Sequence, residues 1–264
     1  MKKLKIVWQR LADEQGQTCD RCGKTETAEA IPAELIVKAG LLVAAQLLRS
    51  KQQVRSVYDR MGRWYDLLAS GFENKHRNAG VRKLSPAEGD AVLEIGCGTG
   101  RSIVALAELV GDSGKIYGLD ISERMLDITR WRVKKAGLTE RVFLVRADAL
   151  QLPFKAGSFD SIFISFTLEL FDDPEIQFVL LECLRVLRIG GRICVVGLSK
   201  KGGANAMTKV YEWLHEKFPR YIDCRPIFVQ EELENAGFHI LDTSEASLLG
   251  LHIECILAEK PLKA

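Results

Sequence analysis

Hydrophobic and polar positions follow two alternating periods along most of the chain. From residue 81 onward, short apolar runs that end in glycine or a polar residue alternate with longer segments whose apolar positions recur every three or four residues. The first pattern is typical of buried β-strands and the second of helices with one buried face. Strands are predicted at 91–95, 115–119, 141–145, 159–165, 192–196, 239–243 and 251–258. Helices are predicted at 101–110, 122–136, 175–187 and 229–236.

The order of these elements predicts an α/β fold. Repeated strand-helix units with short connections indicate a Rossmann-like, doubly wound and mostly parallel sheet of seven strands. The run 159–165 is apolar on both faces, as expected of a central strand in a parallel sheet. The last two strands are separated by a short connection, so we expect them to pair as an antiparallel hairpin at the sheet edge.

The N-terminal part of the chain departs from this pattern. Residues 1–30 are polar, and residues 31–78 have a helical pattern that includes an apolar-rich helix at 33–49. We therefore predict an N-terminal segment over 1–50 and an α/β domain over 51–264.

A Cys-x-x-Cys motif, Cys19 to Cys22, forms a short appendage to the predicted fold. Two thiols at this spacing suit metal ligation or thiol redox chemistry. A structural zinc site usually needs four ligands, and no second cysteine or histidine pair lies nearby in the sequence. The sequence leaves open a four-thiolate site shared across a homodimer, and equally a segment without a function of its own.

The composition of the chain indicates which kinds of partner and which cellular location to expect. The 264 residues include 37 basic and 35 acidic ones, and this net charge of +2 gives no electrostatic reason to expect nucleic acid as a partner. The N-terminus is too short and too charged for a signal peptide, and no apolar run approaches the length of a bilayer span. The seven cysteines form no evident disulfide framework, which favours reduced thiols in a cytoplasmic protein. The helix at 33–49 either covers the domain or makes a peripheral membrane contact.

The motif that carries chemistry lies between the first strand and helix of the α/β domain. Residues 94–100 read EIGCGTG, at the position where open α/β sheets bind nucleotides. The Gly-x-Gly-x-Gly spacing differs from the Gly-x-Gly-x-x-Gly of dinucleotide folds. Glu94 would repel a pyrophosphate, so the loop favours a ligand with a positively charged amino group.

Acidic residues follow the next two strands. Asp120 lies twenty positions after Gly100, which matches the spacing of roughly 20 residues for a carboxylate that holds ribose hydroxyls. Asp148 follows the third strand, where an acid can accept a hydrogen bond from the exocyclic amino group of adenine. Each acid alone could be a helix cap or a turn residue, whereas the three features together favour an adenosine-containing ligand.

These motifs together resemble class I S-adenosylmethionine (SAM)-dependent methyltransferases. They are most similar to the branch that includes the C-methyltransferases of ubiquinone and menaquinone biosynthesis. The resemblance extends over roughly residues 54–260. It rests on ordered motifs at 58–66, 94–100, 118–120, 148–149, 152–160 and 185–191.

The resemblance implies SAM as the cofactor and assigns contacts to it. Glu94 would support the methionine amino group, Asp120 would hold the ribose, and Tyr65 would close the pocket. Ile121 or Met125 would lie against the adenine. The implied cofactor contacts are Tyr65, Glu94, Gly96, Cys97, Gly98, Thr99, Gly100, Asp120, Ile121, Met125, Asp148, Ala149 and Ser165.

The reaction that the resemblance implies is methyl transfer to a small, partly apolar acceptor, such as a quinol-like ring carbon, a lipid or a thiol. No residue stands out as a catalytic base. The candidates are Asp66, Glu169, Tyr211 and His215. Two other classes stay open: a SAM-binding regulatory or assembly protein without turnover, and a thiol- or metal-handling protein that uses Cys19 and Cys22.

Overall fold

The computed structural model describes residues 70–201, 225–248 and 251–262. Within these ranges the helices are α1 (Ser70–Leu84), α2 (Arg101–Leu109), α3 (Glu123–Lys135), α4 (Asp173–Val186) and α5 (Val229–Ala236). The strands are β1 (Ala91–Ile95), β2 (Lys115–Asp120), β3 (Val142–Arg146), β4 (Phe159–Ser165), β5 (Leu187–Ser199), β6 (His239–Leu248) and β7 (Leu251–Glu259). A 3-10 helix, Leu168–Leu170, follows β4.

The described strands form one sheet in the order β3-β2-β1-β4-β5-β7-β6. Strands β1 to β5 pair in parallel, and β7 runs antiparallel to both β5 and β6. The predicted doubly wound, mostly parallel sheet is therefore confirmed, together with the hairpin at its edge. Within this hairpin, β7 lies between β5 and β6.

The core has two layers because successive strand residues point to opposite faces of the sheet. One layer joins residues such as Leu93 and Ile162 to buried side chains of α4 and α5. The other joins residues such as Val92 and Phe163 to α1, α2 and α3. Helices thus cover both faces of the sheet, and the carboxyl ends of the strands are where open α/β sheets bind ligands.

Several predicted boundaries were wrong, among them the end of the strand predicted at 239–243, since β6 continues to Leu248. The helical pattern was expected to end at residue 78, but α1 continues to Leu84, whose side chain is fully buried. The strand predicted at 192–196 begins earlier, at Leu187, so that Gly190 and Gly191 lie inside β5. Leu187 already pairs with Phe159, and the register shifts before Arg192 pairs with Ser161, so the glycines occupy an irregularity of the strand.

Candidate SAM site

The predicted ligand residues within the described ranges lie together at the carboxyl ends of four adjacent strands. The glycine loop follows β1, Asp120 ends β2, Asp148 comes just after β3, and Ser165 ends β4. The loops are joined directly, since Gly98 N donates to Asp120 Oδ2 at 2.8 Å and Ala147 N donates to Asp120 O at 3.3 Å. The structure therefore brings the three sequence motifs to a single edge of the sheet.

The glycine loop is fixed by its own backbone hydrogen bonds. The N–H groups of Gly96 and Cys97 both donate to Leu119 O, at 2.8 and 3.0 Å, and Gly100 N donates to Cys97 O at 2.9 Å. All three glycines have positive φ angles, of 70°, 51° and 77°. A side chain at these positions would strain the backbone.

The surroundings of the three glycines differ. A Cβ on Gly96 would lie 2.3 Å from the Thr167 side chain, and one on Gly100 would lie 2.5 Å from Thr129 Cγ2. Among the residues that the structure describes, none would lie within 4 Å of a Cβ on Gly98. Internal packing therefore requires glycine at the first and third positions, and Gly98 is the glycine that faces open space where a ligand can approach the backbone.

This difference predicts contrasting effects of alanine. Gly96→Ala should lower the free energy of unfolding by about 2–5 kcal/mol, because backbone strain adds to the clash with Thr167. Gly98→Ala should lower the free energy of unfolding only by the backbone strain, about 1–2 kcal/mol, and its main effect should be weaker ligand binding. Urea unfolding of both variants, with and without SAM, measures the two effects. Equal losses of stability would contradict this assignment of the glycines.

Asp120 already accepts two backbone hydrogen bonds. Its Oδ2 accepts from Gly98 N, and its Oδ1 accepts from Ser122 N at 2.9 Å. A carboxylate has about four lone-pair sites, so the half-buried group can also accept from hydroxyls of a ligand. Ser122, the first residue of the helix predicted at 122–136, caps α3, and its Oγ accepts from Met125 N at 3.3 Å.

Glu94 is a buried acid beside the loop. It is 2% exposed, and its Oε2 has no hydrogen-bond partner in the part of the chain that the structure describes. Burial raises the pKa of this carboxyl to about 8, and Asp120 adds to the rise, against a hydrogen bond from Ser102 and the charge of Arg77. A buried carboxyl of this kind is satisfied by a cationic donor, which fits a ligand with an ammonium group.

The remaining predicted cofactor contacts have mixed environments. Ile121 and Asp148 are half-buried, whereas Met125 is 1% exposed and Ala149 belongs to the core. Of the two residues expected against the adenine, Ile121 is therefore the one with accessible surface. Asp148 Oδ1 accepts from Leu150 N at 3.0 Å, which shapes the turn after β3.

Cys97 and Thr99 are the other residues of the glycine loop, and both are buried. Burial raises the pKa of the Cys97 thiol well above its ordinary value, so the thiolate form is disfavoured. A Cβ on Gly118 would lie 3.2 Å from Cys97 Sγ, which shows how closely the loop packs on β2. Cys97 thus serves as a small residue that fits the loop.

At the carboxyl end of β4 and directly after it lie Ser165, Thr167 and the candidate base Glu169. Thr167 Oγ1 donates to Ser165 O at 3.0 Å. Glu169 is 1% exposed, its Oε1 accepts from Leu198 N at 3.1 Å, and its carboxylate packs on Gly197. The candidate base Glu169 is thus built into the contact between the 3-10 helix and β5.

Phe166 is a feature that the sequence did not reveal. It is buried directly after β4 with a φ of 49°, and its N–H donates to Val196 O at 2.8 Å. Non-glycine residues in this region are uncommon and cluster at functional sites. No sequence signal identifies a phenylalanine that adopts this conformation.

Several predicted features fall outside the described residues. These are Tyr65, Asp66, Tyr211, His215, Cys19, Cys22 and the helix at 33–49. In the described ranges, histidine, cysteine and acidic side chains form no group of three that could hold a metal ion. Over the same ranges, no helix combines the length and apolar character that crossing a bilayer requires.

Fold and site together define the class of protein. An open α/β sheet presents a glycine loop, a buried acid before it and a strand-terminal aspartate at one edge, as in class I SAM-dependent methyltransferases. The buried Glu94 and the open space at Gly98 fit the ammonium and the close approach of the methionine part of SAM.

The chain belongs to the ubiE/COQ5 methyltransferase family, whose sequence profile matches residues 46–222. A demethylmenaquinone methyltransferase of Lactobacillus johnsonii is 32% identical over 176 residues, which cover 65% of this chain and 70% of that relative. One of Bacillus subtilis is 30% identical over 217 residues, which cover 72% of this chain and 92% of that relative. This protein is therefore a SAM-dependent methyltransferase.

Solved structures agree with this fold. A SAM-dependent methyltransferase from Aquifex aeolicus has a TM-score of 0.56 to this chain at 22% identity. The similarity covers 78% of this chain and 97% of that one.

Proposed function

We propose that this protein methylates a ring carbon of a reduced, demethylated quinone, and that residues 51–264 form its methyltransferase domain. The acceptor is suggested by the relatives, which are named demethylmenaquinone methyltransferases. Family membership favours an enzyme over a SAM-binding regulator without turnover. The observation that carries the cofactor assignment is the buried Glu94 carboxyl, whose Oε2 lacks a partner among the described residues.

In this proposal, each of the sequence motifs contacts a different part of the cofactor. Glu94 pairs with the methionine ammonium, Gly98 gives the methionine part its close approach to the backbone, and Asp120 binds the ribose hydroxyls. Asp148 and Ile121 take the adenine side, since both are half-buried beside the end of β2. Charge-assisted hydrogen bonds of this kind are the strong and geometrically specific ones.

The chain contributes mainly orientation to the reaction. SAM supplies a methyl group that its sulfonium activates. Fixing cofactor and acceptor in one geometry can contribute roughly 7–11 kcal/mol to lowering the barrier. A base is needed only for an acceptor that arrives protonated. We assign Glu169 the role of fixing the 3-10 helix on β5, because its carboxylate accepts from Leu198 N and packs against Gly197.

The acceptor is tested by incubating the full chain with SAM and a chemically reduced demethylmenaquinone. We expect the gain of one methyl group on the ring carbon, detected by mass spectrometry, and no transfer with the oxidised quinone, whose ring carbon is not nucleophilic. A thiol and a phospholipid tested in parallel should stay unmethylated. Binding of SAM without methylation of the quinol, or transfer to the thiol or lipid instead, would refute the proposed acceptor.

A further inference from the structure

The glycine loop is held from the side of α3 as well as from Asp120. Thr129, in the middle of α3, is 0% exposed, and its Oγ1 donates to Gly98 O at 2.7 Å. The N–H of the same residue, Gly98, donates to Asp120 Oδ2 at 2.8 Å. Both backbone polar groups of Gly98, the loop glycine whose added Cβ would meet no described residue, are therefore fixed, each by a different element.

Thr129 also sets how closely the loop approaches the helix. A Cβ on Gly100 would lie 2.5 Å from Thr129 Cγ2 and 2.8 Å from its Oγ1. The threonine therefore combines a hydrogen-bond donor with a packing surface, and the loop lies directly against both. A valine at this position would keep the shape and remove the donor.

A second side chain of α3 acts on the next residue of the loop. The guanidinium of Arg132 donates to Thr99 O through Nη1. Thr129 and Arg132 are three positions apart, so they lie on the same face of the helix. Two consecutive carbonyls of the loop, at Gly98 and Thr99, are thereby turned toward α3.

We propose that Thr129 and Arg132 are positioning residues of the SAM site. By holding these carbonyls on the α3 side, they fix the peptide planes of the loop before the cofactor arrives. Binding then avoids the entropic cost of ordering the loop. This inference rests on the proposed binding of SAM at the glycine loop. Neither side chain needs to touch the cofactor, since both act through the backbone.

The test compares variants of Thr129 that differ in one property. Thr129→Val should raise the Kd for SAM about tenfold, as expected for the loss of one buried hydrogen bond that orders the loop. Thr129→Ser keeps the donor and should restore the affinity to within about threefold of wild type. The Kd is measured by equilibrium dialysis with labelled SAM, and the melting temperature is measured without SAM.

Arg132→Gln is the second variant, and it should raise the Kd for SAM about fivefold. Arg130→Gln is its matched control, because Arg130 lies on the exposed side of α3 and pairs with Glu123 and Asp127. The control should bind SAM as wild type does. The KM for the quinol should change in none of these variants, whereas a general loss of structure would change it together with the Kd.

The outcomes separate this inference from the proposed function. A wild-type chain that fails to bind SAM would refute the proposed function itself. A wild-type chain that binds SAM while Thr129→Val and Arg132→Gln bind it equally well would overturn the positioning role alone. A Thr129→Ser variant as weak as Thr129→Val would also overturn it, because the hydroxyl would then not be the group that matters.

Discussion

Asp120→Ala is expected to weaken SAM binding by at least about 100-fold. Two charge-assisted hydrogen bonds to the ribose hydroxyls would be lost, and each contributes about 1.5–3 kcal/mol. The backbone N–H groups of Gly98 and Ser122 would also lose their acceptor, since both bind this carboxylate. Equilibrium dialysis with labelled SAM measures the change in Kd.

The matched control for this variant is Asp127→Ala. Asp127 is an exposed acid on α3 that pairs with Arg130, so its removal changes the net charge equally without touching the glycine loop. We expect the control to bind SAM with the wild-type Kd. If Asp120→Ala folded and bound SAM within about threefold of wild type, the assignment of Asp120 to the ribose would be wrong.

Glu94→Gln is expected to remove a large pH dependence of stability. The pKa of the Glu94 carboxyl is about 8 in the folded chain, against an ordinary value of 4.5. Below pH 4.5 the group is protonated in both states, and between 4.5 and 8 only the folded state keeps the proton. Stability without SAM therefore falls as the pH rises through this window, by on the order of 5 kcal/mol in total.

Urea unfolding across this pH range distinguishes the two proteins. In the variant, the free energy of unfolding should no longer fall with pH by the amount that Glu94 contributes. The variant should therefore be the more stable protein above pH 8. Parallel pH profiles for wild type and variant would show that the carboxyl has no raised pKa. The loss of the carboxyl should still weaken SAM binding in the variant, because a neutral amide oxygen accepts a hydrogen bond from the ammonium but forms no ion pair with it.

The ionisation of Glu94 should also be detectable as a release of protons when SAM binds. At a pH of about 6.5 the Glu94 carboxyl carries a proton without ligand, and pairing with an ammonium favours its ionised form. Wild type should therefore release up to about one proton on binding SAM, and Glu94→Gln should release none. Calorimetry in two buffers of different ionisation enthalpy measures the number of protons released.

The parts of the fold that the sequence could predict are those with a strong periodic signal. The order of strands and helices after residue 81, the hairpin of β6 and β7 and the Ser122 cap all follow from local patterns. The grouping of Glu94, Asp120 and Asp148 at one edge also follows, because parallel strands place their carboxyl ends together.

What the sequence could not predict depends on contacts between distant segments. Nothing local to residue 98 shows that Asp120 and Thr129 hold its two backbone groups, because these partners lie 22 and 31 positions away. The strand predicted at 192–196 left out Gly190 and Gly191, because their place inside β5 depends on pairing with β4. The positive φ of Phe166 likewise reflects tertiary packing and has no counterpart in local propensity.

We expect the carboxyl ends of β1 and β2 to bind SAM and not a dinucleotide. Calorimetric titration of the full wild-type chain with SAM, with its demethylated product and with NADH tests this most directly. We expect saturable binding of one SAM or one product molecule per chain, and no binding of NADH. A folded chain that bound NADH, or that gave no saturable heat with SAM, would contradict it.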